Sequence, residues 1–162
     1  MWTMQHVREV VDAELRRSII AAAWLGFGDP LFLELDRMPE SAGGNVNGER
    51  ARCQLDTNFA TWSVTGPIHL HQERDAGDRL EDACRLLLGA VVQHTDVADD
   101  GRLTLQFDWG RTLIVEPWPV EEGQADAWCI TLRDGRILAV SNAGQVAVVD
   151  RDLPIPEWFT HE

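Results

Sequence analysis

The chain is expected to adopt an α+β fold: a curved antiparallel meander sheet built from two similar strand modules, with an N-terminal and a central helix. Three observations predict it. Short apolar runs follow one another with explicit turns between them, among them Asp100-Gly101, Asp134-Gly135 and Asn142-Ala-Gly144. Connections this short pair strands antiparallel, since parallel pairing needs a long crossover. Two segments carry helical rather than alternating periodicity. Finally, Ile19–Asp36 and Val91–Asp108 repeat each other at a fixed offset of 72. Ile19/Ile20 meet Val91/Val92, Leu31/Leu33/Leu35 meet Leu103/Leu105/Phe107, and Asp36 meets Asp108. A second echo joins Trp62-Ser-Val-Thr65 to Trp128-Cys-Ile-Thr131.

In chain order, Thr3–Arg17 places Met4, Val7, Val11 and Leu15 on one stripe, with Thr3 as N-cap of an amphipathic helix. Ile19–Leu25 and Leu31–Asp36 flank Gly26-Phe-Gly-Asp-Pro30 and read as a hairpin. Met38–Glu49 is the most loop-like stretch. Arg50–Leu55 and Phe59–Thr65 read as a second hairpin around Asp56-Thr-Asn58. Asp78–Leu88 is the clearest helix: Asp78 and Glu81 have capping-box spacing, Leu80, Ala83, Cys84, Leu87 and Leu88 share a face, and Gly89 supplies the stop. Strands are then expected over Val91–Asp96, Arg102–Asp108, Thr112–Glu116, Ala127–Arg133, Ile137–Ser141 and Gln145–Asp150. The tail packs along the surface through Ile155, Trp158 and Phe159, its prolines barring a central strand. The whole, 1–162, is expected to be one domain: a first strand module over 18–70, the central helix over 78–88 and a second module over 91–150. A chain of this size buries about 70% of its unfolded surface and needs no disulfide or metal to fold.

Composition narrows the function. All 14 basic residues are arginine, against 27 acids, for a net charge of −13. That balance argues against nonspecific binding to nucleic acid or to an anionic membrane, which need a basic footprint, and suits docking onto a basic partner. Residues 89–162 hold 13 acids and 5 arginines against 14 and 9 before them, so the acid is concentrated in the second module. No apolar run has bilayer-spanning length, and MWTMQHVREVVDAEL lacks the form of a signal peptide. Cys53, Cys84 and Cys129 show no CxxC spacing and read as free thiols of a reducing cytosol, so a cytoplasmic protein is expected.

Candidate chemistry is sparse. His69 and His71 project from one face of an extended segment and are the best metal candidates, provided Glu73, His94 or Asp96 supplies a third ligand. Their simpler reading is a polar edge or loop. Serines 18, 41, 63 and 141 lack a nucleophile-elbow context, and Gly43-Gly44 is not followed by a Lys-Ser/Thr pair, so no catalytic residue and no cofactor is expected. Trp24, Trp62 and Trp128 fall within strand patterns as core anchors. Trp118 differs: it stands in Glu116-Pro-Trp-Pro-Val-Glu-Glu-Gly-Gln-Ala-Asp126, between prolines and beside acids. A stiff loop with an aromatic anchor and surrounding carboxylates suits recognition of a basic surface. The expected partner-binding residues are therefore Glu116, Trp118, Glu121, Glu122 and Asp126, extended by Asp96, Asp99 and Asp100 at a hairpin tip. Taken singly, Trp118 also fits as a plug at the end of the sheet, and the three aspartates as a solvated turn.

From Leu103 to Val149 the order of LTLQF, an acidic loop, AWCITL, an Asp-Gly turn, ILAVS, a glycine turn and QVAVV resembles small uncharacterised actinobacterial domains and immunity proteins of bacterial polymorphic toxin systems. The resemblance implies a non-enzymatic protein that binds a cognate toxin and covers its active site; it carries over no site residues. A small-molecule-binding or hydrolytic domain using the interior of a curved sheet, and a structural or assembly domain, are the alternatives.

Overall fold

A computed structural model describes residues 2–38, 52–119 and 125–150. In order these form helix α1 (Met4–Leu15), strands β1 (Ser18–Leu25), β2 (Leu31–Arg37), β3 (Arg52–Thr57), β4 (Ala60–Thr65) and β5 (His69–His71), and helix α2 (Gly77–Leu87). Strands β6 (Val92–Val97), β7 (Leu103–Phe107), β8 (Thr112–Pro117), β9 (Asp126–Thr131), β10 (Ile137–Ser141) and β11 (Val146–Val149) follow. Every pairing is antiparallel, but there are two sheets, ordered β1-β2-β3-β9-β10-β11 and β5-β4-β8-β7-β6.

Those two orders explain the sequence repeat. Reading β1, β2, β3 of the first sheet against β6, β7, β8 of the second, each triple is followed by a strand that leaves for the other sheet. β4 pairs with β8, and β9 pairs with β3. The halves are thus related by a pseudo-two-fold with their fourth strands exchanged. Local details repeat at the same offset. Bulges fall at Ile20/Ala22 and at Val92/His94. Arg17 and Gly89 are both left-handed, at φ 65° and 80°. Arg17 N–H donates to Val92 O at 2.8 Å while Gly89 N–H donates to Ile20 O at 2.9 Å, and the bridge Ile19–Val91 lies between them. α1 packs along β6 and α2 along β1, so each helix covers the outer strand of the other half's sheet.

One core takes Val7, Val11 and Leu15 from α1, Leu80, Ala83 and Leu87 from α2, and the inward rows of both sheets, including Leu33, Leu55, Ile130 and Leu138 opposite Leu105, Leu113 and Val64. The two buried indoles lock it. Trp62 of β4 donates to Asp29 O in the β1–β2 turn at 2.8 Å, and Trp128 of β9 donates to Gly101 O in the β6–β7 turn at 2.7 Å. Each exchanged strand is thereby bonded to a hairpin tip of the other sheet.

The last turns of the helices are held by arginines. Arg133, after β9, is buried and donates to Glu14 O at 2.6 Å, to the Glu14 carboxylate at 3.1 Å, to Ser18 Oγ and to Leu35 O. Arg111 donates to Leu86 O at 2.5 Å, the carbonyl equivalent to that of Glu14 in the repeat. A guanidinium at a helix C-terminus satisfies orphan carbonyls and opposes the negative end of the dipole.

Several expectations are corrected. β3 and β4 do not form a hairpin around Asp56–Asn58, because the chain changes sheets there. Trp24 is not a core anchor: it is 38% exposed and stacks on Phe32 on the outer face, ring centroids 5.6 Å apart. α2 is capped by Ala76 without a side-chain bond, so Asp78 lies inside the helix and not at its cap. Thr3 does cap α1, reciprocated by His6. The tail residues Ile155, Trp158 and Phe159, and most of the Met38–Glu49 loop, lie outside the described residues.

Two stability outcomes follow. Trp62→Phe and Trp128→Phe should each lower the unfolding free energy by about 2–3 kcal/mol in urea titrations, each leaving a turn carbonyl without its indole donor. Arg133→Ala should cost about 3–5 kcal/mol, because Glu14 and two backbone carbonyls lose their buried partner, and Arg133→Lys should recover only part of it, having no planar fork.

Candidate protein-binding end

At the end of the molecule where the chain crosses between sheets, the two crossings touch. Asn58 N–H donates to Ala127 O and Phe59 N–H to Asp126 O, while Trp118 N–H donates to Phe59 O at 3.1 Å. The Trp118 ring meets Phe59 edge-on, centroids 5.6 Å apart, and both rings are partly exposed. Trp118 therefore packs at the crossing, as an end plug would, and still shows part of its indole to solvent.

The β6–β7 hairpin tip is wedged against this corner. Gly101, left-handed at φ 93°, is so close to its neighbours that a Cβ there would stand 3.1 Å from Val140 Cγ1 and 3.4 Å from Pro117 Cγ. Gly144 in the β10–β11 turn has Asp99 O 3.0 Å from where its Cβ would be. These contacts set the tip against Pro117 of β8 at Gly101, next to Asp100, and against the β10–β11 turn at Asp99. Both aspartates are exposed; Asp99 is ion-paired with Arg8, and Asp100 accepts from Arg102 N–H at 3.0 Å. Arg8 also donates to Val97 O at 2.7 Å, tying α1 to the tip. Glu116 and Asp96 are exposed on the outer face of the five-stranded sheet, two strands across and two residues along, about 12 Å apart by strand spacing and rise.

Asp126 does not join this surface. It is fully buried at the start of β9 and accepts from Asn58 Nδ2 at 2.6 Å, so its carboxylate serves the crossing and cannot meet a partner. Glu121 and Glu122 lie outside the described residues.

His69 and His71 do share a face of β5, at one edge of the five-stranded sheet. His94 and Asp96 are on β6 at the opposite edge, four strand spacings or about 19 Å away. His71 Nδ1 accepts from Glu73 N–H at 3.2 Å and is turned into its own loop. Among the described residues no three His, Cys, Asp or Glu side chains converge as metal ligands.

The thiols are poor nucleophiles. Burial pushes Cys53 up to about 12, outweighing the lowering effect of Arg133. Burial, then Asp56 and Asp126, hold Cys129 well above the ordinary thiol value, and burial raises Cys84. Sequence reading missed Arg8, Arg133 and the polar set Asp56, Asn58 and Asp126 at the crossing; each acts over 68 or more residues, or through a sheet change that leaves no local signal.

A family model described as a family of unknown function matches residues 68–150, just over half of the chain. The chain belongs to the DUF6188 family. The DUF6188 span opens at β5 and contains the second repeat complete, from α2 to β11, with Asp96, Asp99, Asp100, Glu116 and Trp118 inside it. No curated protein and no solved structure matches the chain.

The thiols also set an alkaline limit. Between pH 9 and 12 the chain has no lysine or tyrosine to titrate, so cysteine dominates there. Cys53 has a raised folded value, so the stability carried by its neutral thiol is complete below pH 9 and is lost as pH rises towards 12. Urea titrations across that window should show falling stability, and Cys53→Ala should flatten the decline.

Proposed function

We propose that this chain is a non-enzymatic binding domain for a basic protein, acting in the cytoplasm as an immunity protein that covers a cognate toxin. The observation that carries the reading is the packing of Gly101 against Pro117, which sets the hairpin tip bearing the exposed Asp99 and Asp100 against the residue that precedes the partly exposed Trp118. A net charge of −13 favours encounter with a basic surface, and a rigid aromatic beside carboxylates gives such a surface an anchor with little ordering cost. The three free cysteines suit a reducing compartment. Glu116 and Asp96 extend the charged surface over the outer sheet face, where arginine or lysine side chains would make charge-assisted hydrogen bonds.

Affinity capture with the full chain from its producing cells tests this. One basic protein at one-to-one ratio is expected, its toxic or enzymatic activity blocked by the purified chain. Trp118→Ala combined with Asp100→Lys and Glu116→Lys should weaken that complex at least about tenfold, and raising sodium chloride about tenfold should slow association. An acidic partner, or a complex indifferent to the triple substitution, would overturn the reading.

A further inference from the structure

On the flank of α1 turned away from β6 lies an open groove of about 300 Å³ lined by Trp2, His6, Glu9 and Val10. Its walls are braced. Trp2 and Val10 pack their inner edges against the core. His6 meets the Trp2 ring edge-on at 6.0 Å, and its Nδ1 accepts from Thr3 N–H at 3.2 Å, which fixes the imidazole as part of the helix cap. Glu9 is held by Gln5, whose amide donates to Oε1 at 3.3 Å, so its partner among the described residues is neutral. One residue before Glu9, Arg8 ties the same helix to Val97 and Asp99, so groove and acidic tip keep a fixed separation.

An indole, an aliphatic side chain and a carboxylate in one open groove form a set of complementary contacts for one kind of side chain. A guanidinium stacks on tryptophan and donates to a carboxylate in the same plane, while its methylene stem lies on an aliphatic surface. An ammonium lacks the plane for stacking and the fork for a two-point bond. We infer that the groove is an arginine pocket, which receives a single arginine side chain from the basic protein partner while the tip and Trp118 engage the rest of its surface. This rests on the reading of the chain as a binder of basic proteins and adds a side-chain preference at a second place.

The test is titration of the uniformly 15N-labelled full chain with acetylated, amidated tetra-arginine, followed by NMR. Saturable shifts of the Trp2 indole N–H and of the Glu9 and Val10 amides are expected. Glu9→Gln, an exposed substitution whose fold is verified by circular dichroism, should weaken them about tenfold, and tetra-lysine should bind about tenfold more weakly than tetra-arginine. Asp99→Asn should leave the groove shifts in place. Equal binding of the two peptides would overturn the pocket, as would shifts confined to Asp99, Asp100 and Glu116 with the Trp2 indole still. The latter result would leave the broader reading standing, since the partner complex and its Trp118 dependence are measured separately. Absence of any shift would also overturn the pocket.

Discussion

The exchange of the fourth strands is the constraint on which the rest depends. β3 needs β9 as its second neighbour and β8 needs β4, so neither half can complete its sheet alone. The inward rows continue across the exchange: Leu33 faces Leu55, Leu55 faces Ile130, and Ile130 faces Leu138 in one unbroken register. A buried β-row interrupted between β3 and β9 would expose apolar surface on both sides of the gap, each side chain forfeiting about 1.5–3 kcal/mol. The two indole-to-turn bonds span the sheets in opposite directions, so loosening one sheet loosens the tip of the other. The molecule should therefore unfold as one unit despite its repeat.

The exchange also explains where the candidate surface lies. Two chain crossings must occur at the same end, and their backbones bond to each other through Phe59. Polar groups drawn into that crossing need partners in the interior, which is the role Asp126 and Asn58 fill. The rings of Phe59 and Trp118 close the end only partly, and the charged tip of β6–β7 is pressed against the neighbouring Pro117 and Val140. A partly exposed aromatic pair thus arises from the requirement that two strands change sheets in one place.

Much of this scaffold was legible in the chain because it is local. The offset of 72 follows the first two strands of each half with their bulges and left-handed residues, and β10 runs from Ile137 to Ser141 as its apolar run between two explicit turns predicts. The exchange was not legible, because Asp56-Thr-Asn58 has the composition of a hairpin turn whether or not its strands pair. Trp24 has the same strand context as Trp62, and only the facing of one pleat separates a stacked outer ring from a buried one. Asp126 is indistinguishable in sequence from its exposed acidic neighbours. Its burial depends on Asn58, 68 residues earlier, across the sheet change.

The repeat is informative where it fails. In the paired registers Leu33 faces Leu55 and Leu105 faces Leu113, so the offset drops from 72 on the second strands to 58 on the third. It recovers to 66 at Trp62 and Trp128. The first half is thus 14 residues longer between its second and third strands, and the second half is 8 residues longer at its crossing. Added loop length costs little, about 0.6 kcal/mol per doubling, so neither insertion disturbs the exchanged core. The two halves must keep their strands, bulges and turn carbonyls alike to fit one another. The connections are free to differ, and the longer crossing carries Trp118 and the acids around it. Where scaffold symmetry is obligatory, sequence is free to vary only in such connections, which is why the two halves differ there and not in their strands.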